Sequence, residues 1–167
     1  MSELSIKHRV YARHSGVQSS DRLSIPLIKW CVRETLCIEG VDLPCEVSVL
    51  ITDDRGIREI NNNFRGIDEP TDVLSFPMQE FSSPGWVAAS ANTHGLEAGY
   101  VPMGDIILSA RRVVSQAREN MQSRERETIY LIVHSVLHLL GYDHIDEADG
   151  RKQMRGREKE IMHELGY

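Results

Sequence analysis

The stretch that most constrains this chain is 131–144, LIVHSVLHLLGYDH, which sets three histidines in an apolar run. His134 and His138 stand four residues apart, so on a helix they share one face, about 6 Å apart along the axis. Gly141 follows the last apolar residues and suits the left-handed conformation that ends a helix. That turn can bring His144 back towards the other two. Three imidazoles meeting at one point make a tripod for one divalent ion such as Zn2+, with a fourth position open to water. A lone buried histidine is ordinarily a core residue with a satisfied hydrogen bond. Here, however, residues 129–140 are apolar on nearly every side, so the helix is a buried one, and burying two imidazoles in it is costly unless something binds them. The metal reading outweighs the packing one.

The chain of 167 residues is long enough for one domain with a sizeable core. A net charge of -6 gives no hint of nucleic acid; binding by bulk electrostatics usually goes with a basic chain, so any such role must rest on a local positive patch. Cys31, Cys37 and Cys45 are odd in number and form no CxxC pair, which indicates neither a disulfide framework nor a cysteine metal site. With no apolar leader in MSELSIKHRV and no apolar run long enough to span a bilayer, the expectation is a soluble, cytoplasmic protein without a membrane partner.

Along the chain, residues 4–12 alternate around Ile6, His8 and Val10 and suggest an opening strand; His8 and His14 read as surface histidines. Asp21 can cap a helix running to about Cys37, with Leu27, Trp30 and Cys31 inward. Residues 46–52, EVSVLIT, are a strand by their β-branched content. Thr52 and Asp53 offer a cap for a helix whose stripe Ile57, Ile60 and Phe64 reads as core and whose exit is the polar run from Asn61 to Gly66. Residues 71–78, TDVLSFPM, read as a strand that ends at Pro77 or lies at an edge.

From 79 to 102 the composition shifts to Ser, Gly, Ala and Asn, a loop insertion long for a compact domain, in which His94 reads as an exposed residue. Residues 104–108, GDIIL, return to strand, Ser109 caps a helix to about Asn120, and Ser123 caps the histidine helix. Arg111, Arg112, Arg118, Arg124 and Arg126 between them read as a solvated face sooner than an RNA patch. Asp146 or Asp149 starts a final charged helix with Met154, Ile161 and Leu165 inward, His163 at the surface and Gly166 as its stop. The pattern predicts one α+β domain over 1–167: roughly four strands in a mixed sheet, about five helices, and the metal-site helix buried.

The spacing HxxxHxxGxxH is that of metzincin proteases, which carry a glutamate as general base directly after the first histidine. This chain has Ser135 there, and a serine hydroxyl cannot serve as a base near neutral pH. What remains is an ion able to acidify water and polarise an oxygen, which suits phosphodiester as well as peptide hydrolysis. Arg65, on the loop between a helix and a strand, offers a planar fork of donors that matches a phosphate; an ion pair with Asp68, Glu69 or Asp72 explains it equally well. The base is not identified by spacing: metal-bound hydroxide, Asp72 and Asp143 all stay open.

Three blocks, INNNFRGIDEPTDVLSFP (60–77), GDIILS (104–109) and VHSVLHLLGYDH (133–144), together with the terminal EIMHELGY, resemble the YbeY family of bacterial rRNA maturation factors. The resemblance implies a zinc-dependent, single-strand-specific endoribonuclease with one ion on His134, His138 and His144 and a functional arginine at Arg65. It further implies ribosomal RNA and the small ribosomal subunit or its precursors as partners, and roles in maturing the 3′ end of small-subunit RNA, in ribosome biogenesis and in its quality control. The family usually has glycine where this chain has Ser135, and the loop 79–102 is longer than is usual in it. A metalloprotease-like hydrolase and a non-catalytic assembly factor with a structural metal remain the alternatives.

Overall fold

The computed structural model describes residues 6–87, 99–143 and 148–167. Its four strands are β1 (Arg9–Ser15), β2 (Cys45–Thr52), β3 (Val73–Pro77) and β4 (Val101–Ser109). Five helices accompany them: α1 (Ile25–Ile38), α2 (Asp54–Arg65), α3 (Ala110–Glu119), α4 (Arg124–Leu139) and α5 (Ala148–Glu164). The sheet order is β1-β2-β4-β3, with β1 and β4 parallel to β2 and β3 antiparallel to β4. The architecture is the single α+β domain with a mixed four-stranded sheet that the sequence predicts.

Strand alternation sorts the core. Val10, Val47, Val49, Ile51, Met103, Ile106 and Leu108 face a large cluster with residues of α1, α3, α4 and α5. Leu74 and Ile107 face the other way, onto Ile57 of α2, with Leu50, Ile60 and Phe76 packed beside them. Among the described residues α2 is the only helix that joins this second cluster. The histidine helix α4 lies in the middle of the first, touching α1, α3, α5 and the sheet. Its Ile129, Ile132, Val133, Val136, Leu137 and Leu139 are fully buried, each such side chain favouring the fold by about 1.5–3 kcal/mol. Close approach of α4 to the sheet depends on Gly104: a Cβ there would stand 2.2 Å from the Phe76 carbonyl oxygen and 3.0 Å from Leu139, and its φ is +137°.

The predicted caps at Asp53, Ser109 and Ser123 each accept a backbone N–H, from Gly56, Arg112 and Arg126. α1 differs. Its cap is Ser24, which accepts from Leu27 N–H with Pro26 in the first turn, and Asp21 sits in a separate 3-10 turn, Ser19–Asp21. The proline fixes the first turn, so the helix begins later than an Asp21 cap would place it. Cys31 faces inward as expected and Leu27 packs half-buried on the core, but Trp30 is 38 % exposed, and Ile28, Val32, Thr35 and Leu36 complete the inner face. Phe64 is 72 % exposed although its ring packs on Phe76 of β3; the stripe Ile57, Ile60, Phe64 is core only at its start. His8 is buried, not at the surface, and its Nδ1 accepts the Cys45 N–H. Burial, reinforced by the Arg33 guanidinium, pushes that imidazole below its ordinary range. The opening strand is shifted to Arg9–Ser15, and residues 4 and 5, His94 and Asp146 lie outside the described residues. No described helix is long and apolar enough to cross a membrane.

Candidate metal and phosphate site

α4 ends as Gly141 foretells. With Leu140 as cap and Gly141 at φ +82°, Gly141 N–H bonds the His138 carbonyl and Tyr142 N–H the Leu137 carbonyl, the double bond pattern of a Schellman turn. The first part of the long loop is fastened over this exit. Gly85 N–H bonds the Leu140 carbonyl, Phe81 packs on Gly141, Trp86 Nε1 donates to Asp42, and Gln79 Nε2 donates to the Pro102 carbonyl. Tyr142 donates its hydroxyl to Glu39, which also receives Arg157, so the chain leaving the histidine helix is tied to both α1 and α5. Burial and the Glu39 carboxylate push the Tyr142 phenol up to about 12, which keeps it a donor throughout the physiological range.

His134 and His138 lie on one face of α4, half-buried, with Nε2 atoms 3.1 Å apart and rings nearly perpendicular at 83°. On its far side His134 Nδ1 lies 2.7 Å from Oε1 of Glu158, a buried carboxylate on α5 that also accepts from Tyr130 at 3.4 Å. A carboxylate can only accept, so Nδ1 carries the proton and the lone pair of His134 points from Nε2 into the groove. Two Nε2 atoms facing one another can share one proton, or they can both bind one cation. Nitrogens on a single tetrahedral ion at about 2.0–2.1 Å lie about 3.3 Å apart, so the pair fits an ion with little movement. A carboxylate behind a ligating imidazole is the usual outer support of such a site. His144, the third predicted ligand, lies outside the described residues; among the described ones no three His, Cys, Asp or Glu side chains converge on one point.

The histidines open into a groove of about 800 Å³, and Arg65, Asp72, Ser75, Pro77 and Asp143 line it with them. The structure thus brings Arg65, at the end of α2, to the same groove as His134 and His138. Asp68 is not its partner: that carboxylate is held by both prongs of Arg58, at 2.8 and 2.7 Å. Asp72 accepts from Val73 N–H, Thr71 and Gln116. Arg65 makes no ion pair among the described residues. The polar exit of α2 explains itself here, since buried Asn61 donates to the Glu69 carbonyl and holds the loop that frames Arg65. Ser135 is fully buried, its hydroxyl without a partner among the described residues, so it faces the interior and plays no part in the groove.

Glu158 and Tyr130 are site residues that the sequence reading missed. The signal was there: Met154, Glu158, Ile161 and Leu165 form one helical stripe, and an acid within an apolar stripe needs a partner.

Comparison with known proteins identifies relatives of the whole chain. The family model described as "Endoribonuclease YbeY" matches residues 12–166. A Clostridium botulinum protein named endoribonuclease YbeY is 41 % identical over 155 residues, covering 90 % of this chain and 92 % of the relative. One from Roseiflexus sp. with the same name is 46 % identical over 144 residues, covering 84 % and 82 %. The solution structure of a Thermotoga maritima protein superposes with a TM-score of 0.59 at 28 % identity, covering 93 % of this chain and 88 % of that one. With a family match that runs from the first strand to the last turn of the chain, this protein belongs to the endoribonuclease YbeY family.

Proposed function

We propose that this chain is a zinc-dependent endoribonuclease that cuts single-stranded RNA and acts on the 3′ end of small-subunit ribosomal RNA in the bacterial cytoplasm, in ribosome biogenesis and quality control. The family name supports RNA cleavage. The observation that carries the metal dependence is the facing pair of imidazole nitrogens, 3.1 Å apart and backed by Glu158, in the groove that Arg65 also lines. His134, His138 and, by the resemblance, His144 would hold the ion; bound there, it supplies an acidified water and a Lewis acid.

The remaining work falls to the chain itself. Glu158 holds His134 in one tautomer, so the nitrogen facing the groove is a lone-pair donor without rearrangement. Arg65 meets a phosphodiester with a fork of N–H donors that makes no ion pair among the described residues, and its charge stabilises the negative charge developing on the scissile phosphate. Asp72 is occupied by three donors and serves as scaffold for the groove. The protease alternative loses ground because Ser135 is turned into the core, leaving the position of the protease glutamate without a base.

The test is cleavage of single-stranded and duplex RNA of one sequence by nuclease-free protein of measured metal content. Expected are single-strand cleavage, its loss on chelation, its return with zinc, and immature 3′ ends in cells lacking the protein. Unchanged cleavage by metal-free His138→Ala protein would overturn the reading.

A further inference from the structure

The second face of the sheet carries a feature that the groove does not use. Between the last turn of α2 and β1 lies a trough of about 650 Å³, lined by Tyr11, Arg13, Lys29, Leu50, Phe64 and Phe76 among others. Phe64 is 72 % and Tyr11 52 % exposed, an arrangement that forgoes most of the burial an aromatic ring can gain. Phe64 is nonetheless held: its ring packs tilted on Phe76, with centroids 5.2 Å apart. Arg13 and Lys29 enter no ion pair among the described residues, and the one acid along the trough is Asp105. Two cations against one carboxylate leave a net positive trough on a chain whose overall charge is -6.

Trough and groove share a border. Phe64 lines the trough and Arg65, the next residue, lines the groove. On β3 the alternation repeats: Phe76 faces the trough, while Ser75 and Pro77 on either side of it face the groove. A chain leaving Arg65 round the edge strand therefore arrives on Phe64 and Phe76.

The geometry points to this trough as a second binding site for single-stranded RNA, with unpaired bases on Phe64 and Tyr11 and phosphates on Arg13 and Lys29, continuous with the groove around β3. Aromatic faces beside cations are the elements that take unpaired nucleotides with little regard for sequence. A duplex offers no free base faces, so the trough selects the single strand before the groove cuts it. This inference rests on the RNA reading of the groove.

The test compares wild type, Phe64→Ala, Tyr11→Ala and the Arg13→Glu/Lys29→Glu pair. Affinities are measured for a single-stranded oligoribonucleotide long enough to span both features and for one that fills only the groove. Each aromatic variant is expected to bind the long RNA about five- to tenfold more weakly, the low end for loss of one stacked base at an exposed position. Cleavage of the short RNA should stay at the wild-type rate, and the charge-reversed pair should show a shallower salt dependence of long-RNA binding. If Phe64→Ala disturbs folding, Tyr11→Ala and the charge pair decide. Wild-type protein that cuts RNA while every variant keeps full long-RNA affinity overturns the trough alone and hands it to a protein partner. Wild-type protein that neither binds nor cuts RNA overturns the groove reading, and the trough with it.

Discussion

One wall of the groove is α4 backed by α5, where His134 is fixed by Glu158 at 2.7 Å and the apolar side chains of α4 beneath are buried. The facing wall is the last turn of α2 and the loop after it, where Arg65 is exposed and makes no ion pair among the described residues. The first wall has its side chains positioned by the core before anything binds, and the second has an exposed charge on the last turn of α2 that forms no ion pair among the described residues. Rigid, lone-pair-bearing imidazoles suit an ion whose geometry is fixed; an open cation suits a substrate that must enter and leave. The division predicts that damage to the two walls will differ in kind.

The largest effect is expected from His138→Ala, which should lose bound metal and reduce RNA cleavage to background, both read on the same preparation. Arg65→Ala should keep its metal and its Tm while kcat falls about a hundred- to a thousandfold, the usual effect of removing one donor to a developing anion. Arg65→Lys should recover only part of that, since a point charge lacks the fork. Metal loss in Arg65→Ala would erase the distinction between the walls. Glu158→Ala should weaken metal affinity about 10–100-fold by competition with a chelating dye, with activity restored at excess metal; affinity equal to wild type would remove Glu158 from the site.

The smallest effect lies away from both walls. His8, buried with its Nδ1 accepting the Cys45 N–H, resists a proton that the unfolded chain takes up at about pH 6.5. Its contribution is therefore complete above that pH and is lost as the pH falls towards the folded value. Tm should decline in that window, and less steeply in His8→Gln; equal slopes would show that His8 is not the group responsible.

What could be read from the sequence is what local chemistry decides. Ser109, Ser123 and Asp53 cap their helices because a short oxygen-bearing side chain before an apolar stripe has few better uses, and Gly141 ends α4 because a left-handed residue must. His134 and His138 were legible for the same reason: i and i+4 on a helix are neighbours whatever the fold. Contacts between distant elements were not. Glu158 meets His134 only because α5 packs on α4, and Phe64 is exposed because no described element covers it where it lies on Phe76. His8 is buried because β2 begins beside it, which no pattern within residues 4–12 announces. For Arg65, spacing balanced phosphate against an ion pair with Asp68, Glu69 or Asp72, and it could not show that Asp68 is held by Arg58 from the same helix.

The division of labour between the walls is tested most directly by measuring metal stoichiometry and single-stranded RNA cleavage on Arg65→Ala and His138→Ala protein in parallel. The account predicts a metal-loaded, slow Arg65 variant and a metal-free, inactive His138 variant. A His138 variant that cuts RNA without metal, or an Arg65 variant as fast as wild type, would contradict it.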